Sequence, residues 1–303
     1  MKSSVAEPIA AAAVVDQPAA QKSVWADLIK ARLTTLVVLT TAAGFYAGWK
    51  GAMDWILLFH TVFGTALVAS GASALNQLLE RDYDALMHRT ENRPLPSGRL
   101  TPDSVLIIGG VLSVVGLLYL ALTVNLLTAV LGAITLISYV WIYTPLKRVT
   151  TLNTAIGAIP GAIPPLMGWT AARDDIAGGG WALFAILFFW QLPHFLAIAW
   201  IYRDDYARGG FAMLPVFDPE GRRTSSQALS HTLGLLPVSL SPFIFKLAGP
   251  AYLASALILG GIFTVAAFRF ARELTVARAR FLFFVSIIYL PLLLTALALD
   301  KVK

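Results

Sequence analysis

Residues 155–169 read AIGAIPGAIPPLMGW. Three prolines and three glycines within fifteen residues would break a helix in water, because proline lacks an amide hydrogen and clashes with the preceding turn. Yet no charged residue occurs between Asn153 and Ala172. In hydrocarbon an unpaired backbone group is costly, so a spanning segment is helical even where its residues are poor helix formers in water. The small residues suit either a distorted helix lining a cavity or a helix packed tightly on its neighbours. Both readings place the segment in a membrane.

The flanking sequence supports that setting. The chain has 303 residues, 57% hydrophobic and 13% charged, with a mean hydropathy of +0.72. An ordinary soluble domain carries about 25% charge. Nine segments approach or exceed the roughly 18–20 residues needed to cross a hydrocarbon core. They lie near 32–49, 53–75, 105–123, 125–143, 152–170, 181–200, 230–247, 251–268 and 281–299. The expectation is an all-α polytopic membrane protein, a nine-transmembrane-helix bundle. Residues 25–303 would form its single domain. Residues 1–24 are alanine-rich, lack the continuous apolar core and cleavage pattern of a secretory signal, and are expected to form a flexible cytoplasmic tail. The absence of cysteine excludes disulfides, thiolate catalysis and cysteine-ligated clusters. A net charge of +6 does not point to nucleic acid, because the basic residues stand between hydrophobic runs.

Those basic residues orient the chain. With the N-terminus inside, 18 of the 23 lysines and arginines fall in inner regions. The outer regions hold only Lys50, Arg173, Lys246, Lys301 and Lys303. The positive-inside rule selects this topology, with the C-terminus outside.

Two acidic regions then share the inner face. Residues 76–100, NQLLERDYDALMHRTENRPLPSGRL, carry Asn76, Glu80 and Asp84 at four-residue spacing. Four helical residues turn about 400° and rise about 6 Å, so these side chains form a slowly drifting polar stripe. A solvated helix end offset by nearby arginines accounts for the spacing equally well. The second region, FFWQLPHFLAIAWIYRDDYARGGFAMLPVFDPEGRR at 188–223, places Asp204 and Asp205 on the same side. Paired oxygen-rich patches suit Mg²⁺, which favours carboxylates together with substrate phosphates. Arg93, Lys147, Arg148 and Arg203 are candidate phosphate contacts, although each alone also reads as an inner-face anchor. The combination fits ionisation of a diphosphate whose apolar tail lies among the helices. A transporter is the competing class, but the acids cluster beyond helix ends rather than at the midplane.

At this point the residues resemble the UbiA superfamily of intramembrane prenyltransferases, over nearly the whole chain after the tail. NQLLERDYD is similar to its first Asn/Asp-rich motif, and MHRTENRPLPSG to the basic continuation. YTPLKRVTTLNTAIGAIPGAIPPLMGW, WQLPHFLAIAWIYRDDY and GGFAMLPV resemble its haem-modifying branch. The second motif departs from the broader pattern of two aspartates four apart, since Arg208 follows Asp204 and Gly209 follows Asp205 at that spacing. The metal count and the ranking of the two aspartates therefore stay open, with Asp205 preferred.

The resemblance implies transfer of farnesyl from farnesyl diphosphate to a vinyl group of protoheme IX (haem B), with water addition giving haem O. It implies Mg²⁺ held among Asn76, Glu80, Asp84, Asp204 and Asp205. Arg93, Lys147 and Arg203 would contact diphosphate, with Arg148 behind them and Tyr143 and Tyr206 as further donors. His194 is the leading haem contact and His88 the next. A bacterial inner membrane, with active-site loops in the cytoplasm and a haem A synthase or other haem-handling partner, completes the implied setting. Prenyl transfer to an aromatic acceptor such as a quinone precursor, and a non-enzymatic transporter or haem-binding module, are the other readings.

Overall fold

The computed structural model describes residues 23–302. The expected tail lies outside the described residues except for Ser23 and Val24. The chain begins with the short helix α1 (Val24–Leu28), then α2 (Ala31–Gly48), α3 (Trp55–Asp84) and α4 (Pro102–Thr123). Helix α5 (Leu126–Ile137) runs through a π-helical segment (Ser138–Tyr143) into α6 (Thr144–Leu146). Helices α7 (Asn153–Arg173), α8 (Gly178–Ile201) and α9 (Arg203–Arg208) follow. A 3₁₀ turn (Leu214–Val216) precedes α10 (Arg222–Ser239), α11 (Ser241–Ile244), α12 (Pro250–Arg272) and α13 (Val276–Leu299). The protein is all-helical and multi-pass, as the hydropathy indicates. Among the described residues six helical stretches are long and apolar enough to cross a membrane: α3, α4, α5–α6, α8, α12 and α13.

Local chemistry sets the helix starts. Asp54 accepts a hydrogen bond from the Leu57 amide at 2.9 Å and so caps α3. Thr101 caps α4, with Pro102 in the first turn, where a missing amide costs nothing. Asn125 caps α5 through the Thr128 amide at 2.8 Å, while its own amide donates to the Thr170 carbonyl on α7. One side chain thus starts a helix and docks it.

Helix α7, the opening stretch, is a continuous helix despite Pro160, Pro164 and Pro165. It joins two apolar cores. Ile163, Leu166 and Met167 pack with residues of α3, α4 and α5, whereas Ala162 and Trp169 pack with α8 and the helices that follow. Its small residues serve close packing: a Cβ added at Gly168 would lie 1.9 Å from the Thr41 carbonyl oxygen of α2. The reciprocal position, Gly44, would meet the Pro165 carbonyl oxygen, also at 1.9 Å. The two backbones touch, and neither side is a flexible side chain that can move away. Gly168→Ala is expected to cost about 1–3 kcal/mol through overpacking, read as a lower unfolding temperature in detergent.

The exposed surface completes the picture. Leu106, Ile107, Val111, Val114, Leu118 and Leu122 stand out from α4. An apolar face this long suits lipid contact.

Candidate active site

A cavity of about 70 Å³ opens at one end of the bundle, where α3 and α6 end. Glu80 and Asp84 reach it from α3, and both are almost fully buried. Asn76 lies one turn deeper and is also buried. The four-residue stripe therefore faces the protein interior, which rules out a solvated helix end.

Each acid has a cationic partner from another part of the chain. Lys147 donates to a Glu80 carboxylate oxygen at 2.7 Å. Arg93 donates to Asp84 Oδ2 at 2.6 Å, brought back by the turn after α3, in which Thr90 donates to the Asp84 carbonyl. The second carboxylate oxygen, Asp84 Oδ1, is buried without a hydrogen-bond partner. Burial works against the Lys147 charge, but the Glu80 carboxylate overrides it and holds the ammonium above its usual range.

Asn76 is positioned by groups on both sides. Its Oδ1 accepts from Lys30 Nζ at 2.6 Å, and its amide donates to Thr144 Oγ1 at 2.9 Å. The π segment makes the latter contact possible, because Thr144 in turn donates to the Tyr139 carbonyl five residues back. Lys30 is itself a left-handed residue between α1 and α2, with φ of 49°. Gln77 anchors this turn by donating to the carbonyls of Asp27 and Leu28. Burial, together with the positive Arg93 guanidinium, pushes the Lys30 ammonium down to about 7.

The third cation is Arg89. It donates to the Tyr206 hydroxyl at 3.0 Å and lies over the rings of Tyr202 and Tyr206. Tyr143, Tyr206, Met87, Phe211 and Met213 complete the wall. Three cations and the Lys30 amine, which burial brings to about 7, thus surround two carboxylates in one small cavity. Lys30 and Arg89 had entered the sequence reading only as orienting charges. The four-residue spacing of Arg89 and Arg93 in the basic continuation was a usable signal for Arg89, but nothing local marks Lys30.

Other expected site residues lie elsewhere. Asp205 pairs with Arg208 one turn on, and Asp204 stands exposed beside Arg203, so neither lines the cavity. Of the five expected metal ligands only Glu80 and Asp84 line the cavity, and among the described residues no three His, Cys, Asp or Glu side chains converge as a metal site. Arg203 stacks on Trp200, and Arg148 stacks on Tyr83 and donates to its hydroxyl, which keeps both out of the cavity. His88 is exposed near Glu91. His194 is sandwiched between Trp190 and Phe283, with ring centroids 5.0 and 4.9 Å away, and its Nδ1 meets Ser286 Oγ at 2.7 Å. Both ring faces and one nitrogen are occupied by protein, and His194 is not among the residues that line the cavity.

The two cavity carboxylates nevertheless fit Mg²⁺. That ion is commonly held by one or two carboxylates plus substrate phosphates, and Asp84 Oδ1 is an acceptor with no donor.

The geometry has its counterpart in known proteins. The UbiA prenyltransferase family matches residues 37–288. The chain belongs to this family. Among UbiA relatives, the protoheme IX farnesyltransferase of Solibacter usitatus (strain Ellin6076) is 46% identical over 284 residues, covering 91% of this chain and 97% of that one. A solved digeranylgeranylglyceryl phosphate synthase superposes with a TM-score of 0.78 at 17% identity, covering 91% and 97% of the two chains. A UbiA homolog from Archaeoglobus fulgidus bound to GPP and Mg²⁺ superposes with a TM-score of 0.64 at 14% identity, covering 91% and 99%. The two structures establish a UbiA fold for the chain.

Proposed function

We propose that this chain transfers farnesyl from farnesyl diphosphate to a vinyl group of protoheme IX, giving haem O and diphosphate. The observation that carries the diphosphate chemistry is the cavity in which Lys30, Arg89, Arg93 and Lys147 surround Glu80 and Asp84. The choice of acceptor rests on the relatives' activity, at 46% identity for the first.

The cavity suits the head of the donor. On the same volume scale one water needs about 10–15 Å³, so about 70 Å³ accommodates a head group rather than a farnesyl chain. Glu80 and Asp84 would hold Mg²⁺, as the GPP- and Mg²⁺-bound family structure encourages. Bound Mg²⁺ supplies charge neutralisation to the departing diphosphate. Arg89, Arg93 and Lys147 hold the same oxygens, joined by Lys30 as the anion favours its protonated form, and arginine does so through two donors at once. Asn76, clamped by Lys30 and Thr144, keeps that part of α3 in place.

The C–O bond of farnesyl diphosphate breaks with its electron pair leaving on diphosphate. The vinyl π electrons form the new carbon–carbon bond, water adds to the resulting cation, and one proton is released to solvent. The walls around Met87, Phe211 and Met213 exclude water from the allylic centre until that bond has formed.

The N-terminus and this cavity would face the cytoplasm of a bacterial inner membrane, with the C-terminus outside and nine crossings in all. A haem A synthase or another haem-handling membrane protein would receive the product. Incubating the purified chain with farnesyl diphosphate, Mg²⁺ and protoheme is expected to give farnesylated haem, with the rate lost on chelation and restored by Mg²⁺. Prenylation of an aromatic acceptor but not of protoheme would overturn the assignment.

Placement relative to the cavity separates the arginines. Arg89→Gln removes a cavity cation and is expected to lower kcat/KM by about tenfold or more, the worth of one charge-assisted hydrogen bond. Arg203→Gln, outside the cavity, should stay within about threefold. Equal losses in the two variants would count against the diphosphate contacts assigned here.

A further inference from the structure

The end of the bundle opposite the active-site cavity carries a second, larger pocket, of about 1050 Å³. Helices α2, α7 and α13 finish there, and α8 begins there. Of the five basic residues that the segment pattern assigns to this end, Lys50, Arg173, Lys246 and Lys301 all line this one pocket. The fifth, Lys303, lies outside the described residues. Scattered interface anchors would not converge in this way.

The four cations divide into two that are held and two that are open. Lys301 donates to the carbonyls of Tyr46 and Trp49 at 2.5 and 2.6 Å, closing the C-terminal end of α2. Arg173 lies over the Trp169 ring and 3.7 Å from Asp175, which also accepts from the Trp169 indole. Lys50 and Lys246 are exposed, and their ammonium groups have no side-chain partner among the described residues. Lys246 also occupies a left-handed backbone conformation, with φ of 56°, which is uncommon for a residue with a Cβ. Asp54, Asp174, Asp175 and Asp300 stand at the same end, but Asp54 caps α3, Asp300 accepts from the Tyr252 amide, and no carboxylate is among the residues that line the pocket.

The rest of the wall is amphiphilic. Tyr46, Trp49 and Trp169 supply rings of the kind that sit at headgroup depth, and Phe245 and Leu299 are exposed apolar rims. The other lysines and arginines of the described residues belong to the opposite end of the bundle, so positive charge at this end is concentrated in the pocket.

We propose that this pocket binds an anionic amphiphile, an oxyanion head on an apolar body, and that its occupant is an anionic phospholipid of the surrounding leaflet. The open Lys50 and Lys246 take the phosphate. The aromatic and aliphatic rim takes the glycerol and the first part of the acyl chains. The proposal does not depend on the identity of the prenyl acceptor.

Native mass spectrometry of the full chain in detergent, titrated with phosphatidylglycerol or phosphatidylcholine of matched chains, tests this. Wild-type protein should retain the first tightly bound phosphatidylglycerol about tenfold better than phosphatidylcholine, as one charge-assisted contact allows. Lys50→Gln/Lys246→Gln should lose most of that preference, while Lys50→Arg/Lys246→Arg keeps it. Arg223→Gln/Arg280→Gln removes the same charge from the other end and should leave it unchanged. Both lysines are exposed, so the unfolding temperature and the rate of prenyl transfer should not move. Unchanged retention in the lysine-to-glutamine variant, or equal losses in the two glutamine variants, would overturn the site. Displacement of phosphatidylglycerol by protoheme in the wild type, lost in the same lysine variant, would overturn the lipid as its occupant.

Discussion

An Asp84→Asn variant is expected to lose turnover by about 10²–10³-fold, the scale seen when one preorganised electrostatic group is removed. The reason lies in the two oxygens of this carboxylate. Oδ2 accepts from Arg93 at 2.6 Å, and Oδ1 is buried with no donor. Asparagine keeps the size but deletes the charge and turns one acceptor into a donor, which a cation cannot use. Arg93 keeps a neutral oxygen partner, so the loss should appear in the chemical step more than in protein yield. Single-turnover rates across Mg²⁺ concentrations, with expression and unfolding temperature measured alongside, provide the check. Normal rates at all concentrations would remove Asp84 from the reaction.

The second large effect combines stability with turnover. Lys147 and Glu80 are both mostly buried, with side-chain exposures of 16% and 6%. Lys147→Gln leaves the Glu80 carboxylate buried without its cation, a loss of about 3–5 kcal/mol when one partner of a buried pair is deleted. Replacing both, as Lys147→Gln/Glu80→Gln, removes the stranded charge and should restore most of the stability. It should not restore turnover, because the cavity has then lost a carboxylate and a diphosphate contact together. Unfolding in detergent and prenyl transfer assays on Lys147→Gln, Glu80→Gln and the double variant read the two quantities separately. Purely additive stability losses would mean that the pair does not couple in the folded protein.

Hydropathy made most helices legible because the membrane imposes one requirement, apolar length, that composition reports directly. The segment expected at 251–268 is found within Pro250–Arg272, and that at 32–49 within one residue of Ala31–Gly48. Where helices leave hydrocarbon the signal fades. Helix α3 runs beyond the span expected at 53–75 to Asp84, as its polar stripe requires, and α10 starts at Arg222, ahead of the span expected near 230. Polar turns continue these helices through capping and tertiary contacts that hydropathy does not record.

The candidate site divides along the same line. Glu80, Asp84, Arg93 and Lys147 were legible from regular spacing, topology and family resemblance. Lys30 was not, because it reaches Asn76 from 46 residues away through a turn anchored by Gln77. Asp205 was misplaced for the opposite reason. Its partner Arg208 is only three residues on and visible in the sequence, yet the acidic pattern outweighed that local pairing. His194 had the right chemistry for haem, but whether its faces are free depends on Phe283, far along the chain.

The π-helical turn at Ser138–Tyr143 also bears on how the enzyme tolerates changes in length. Such a turn accommodates one residue more than an α-helical path between the same two points. Every group beyond it, Thr144 and Lys147 among them, is therefore indexed to the cavity by a count of residues as well as by their identity. Removing any one residue of this turn other than Tyr143 would leave every cavity side chain in the sequence. It would also rotate Lys147 by roughly 100° about its helix axis, away from Glu80. Single-residue deletions here are accordingly expected to be as damaging as loss of the lysine itself, whereas substitutions at outward positions such as Trp141 and Ile142 should be mild.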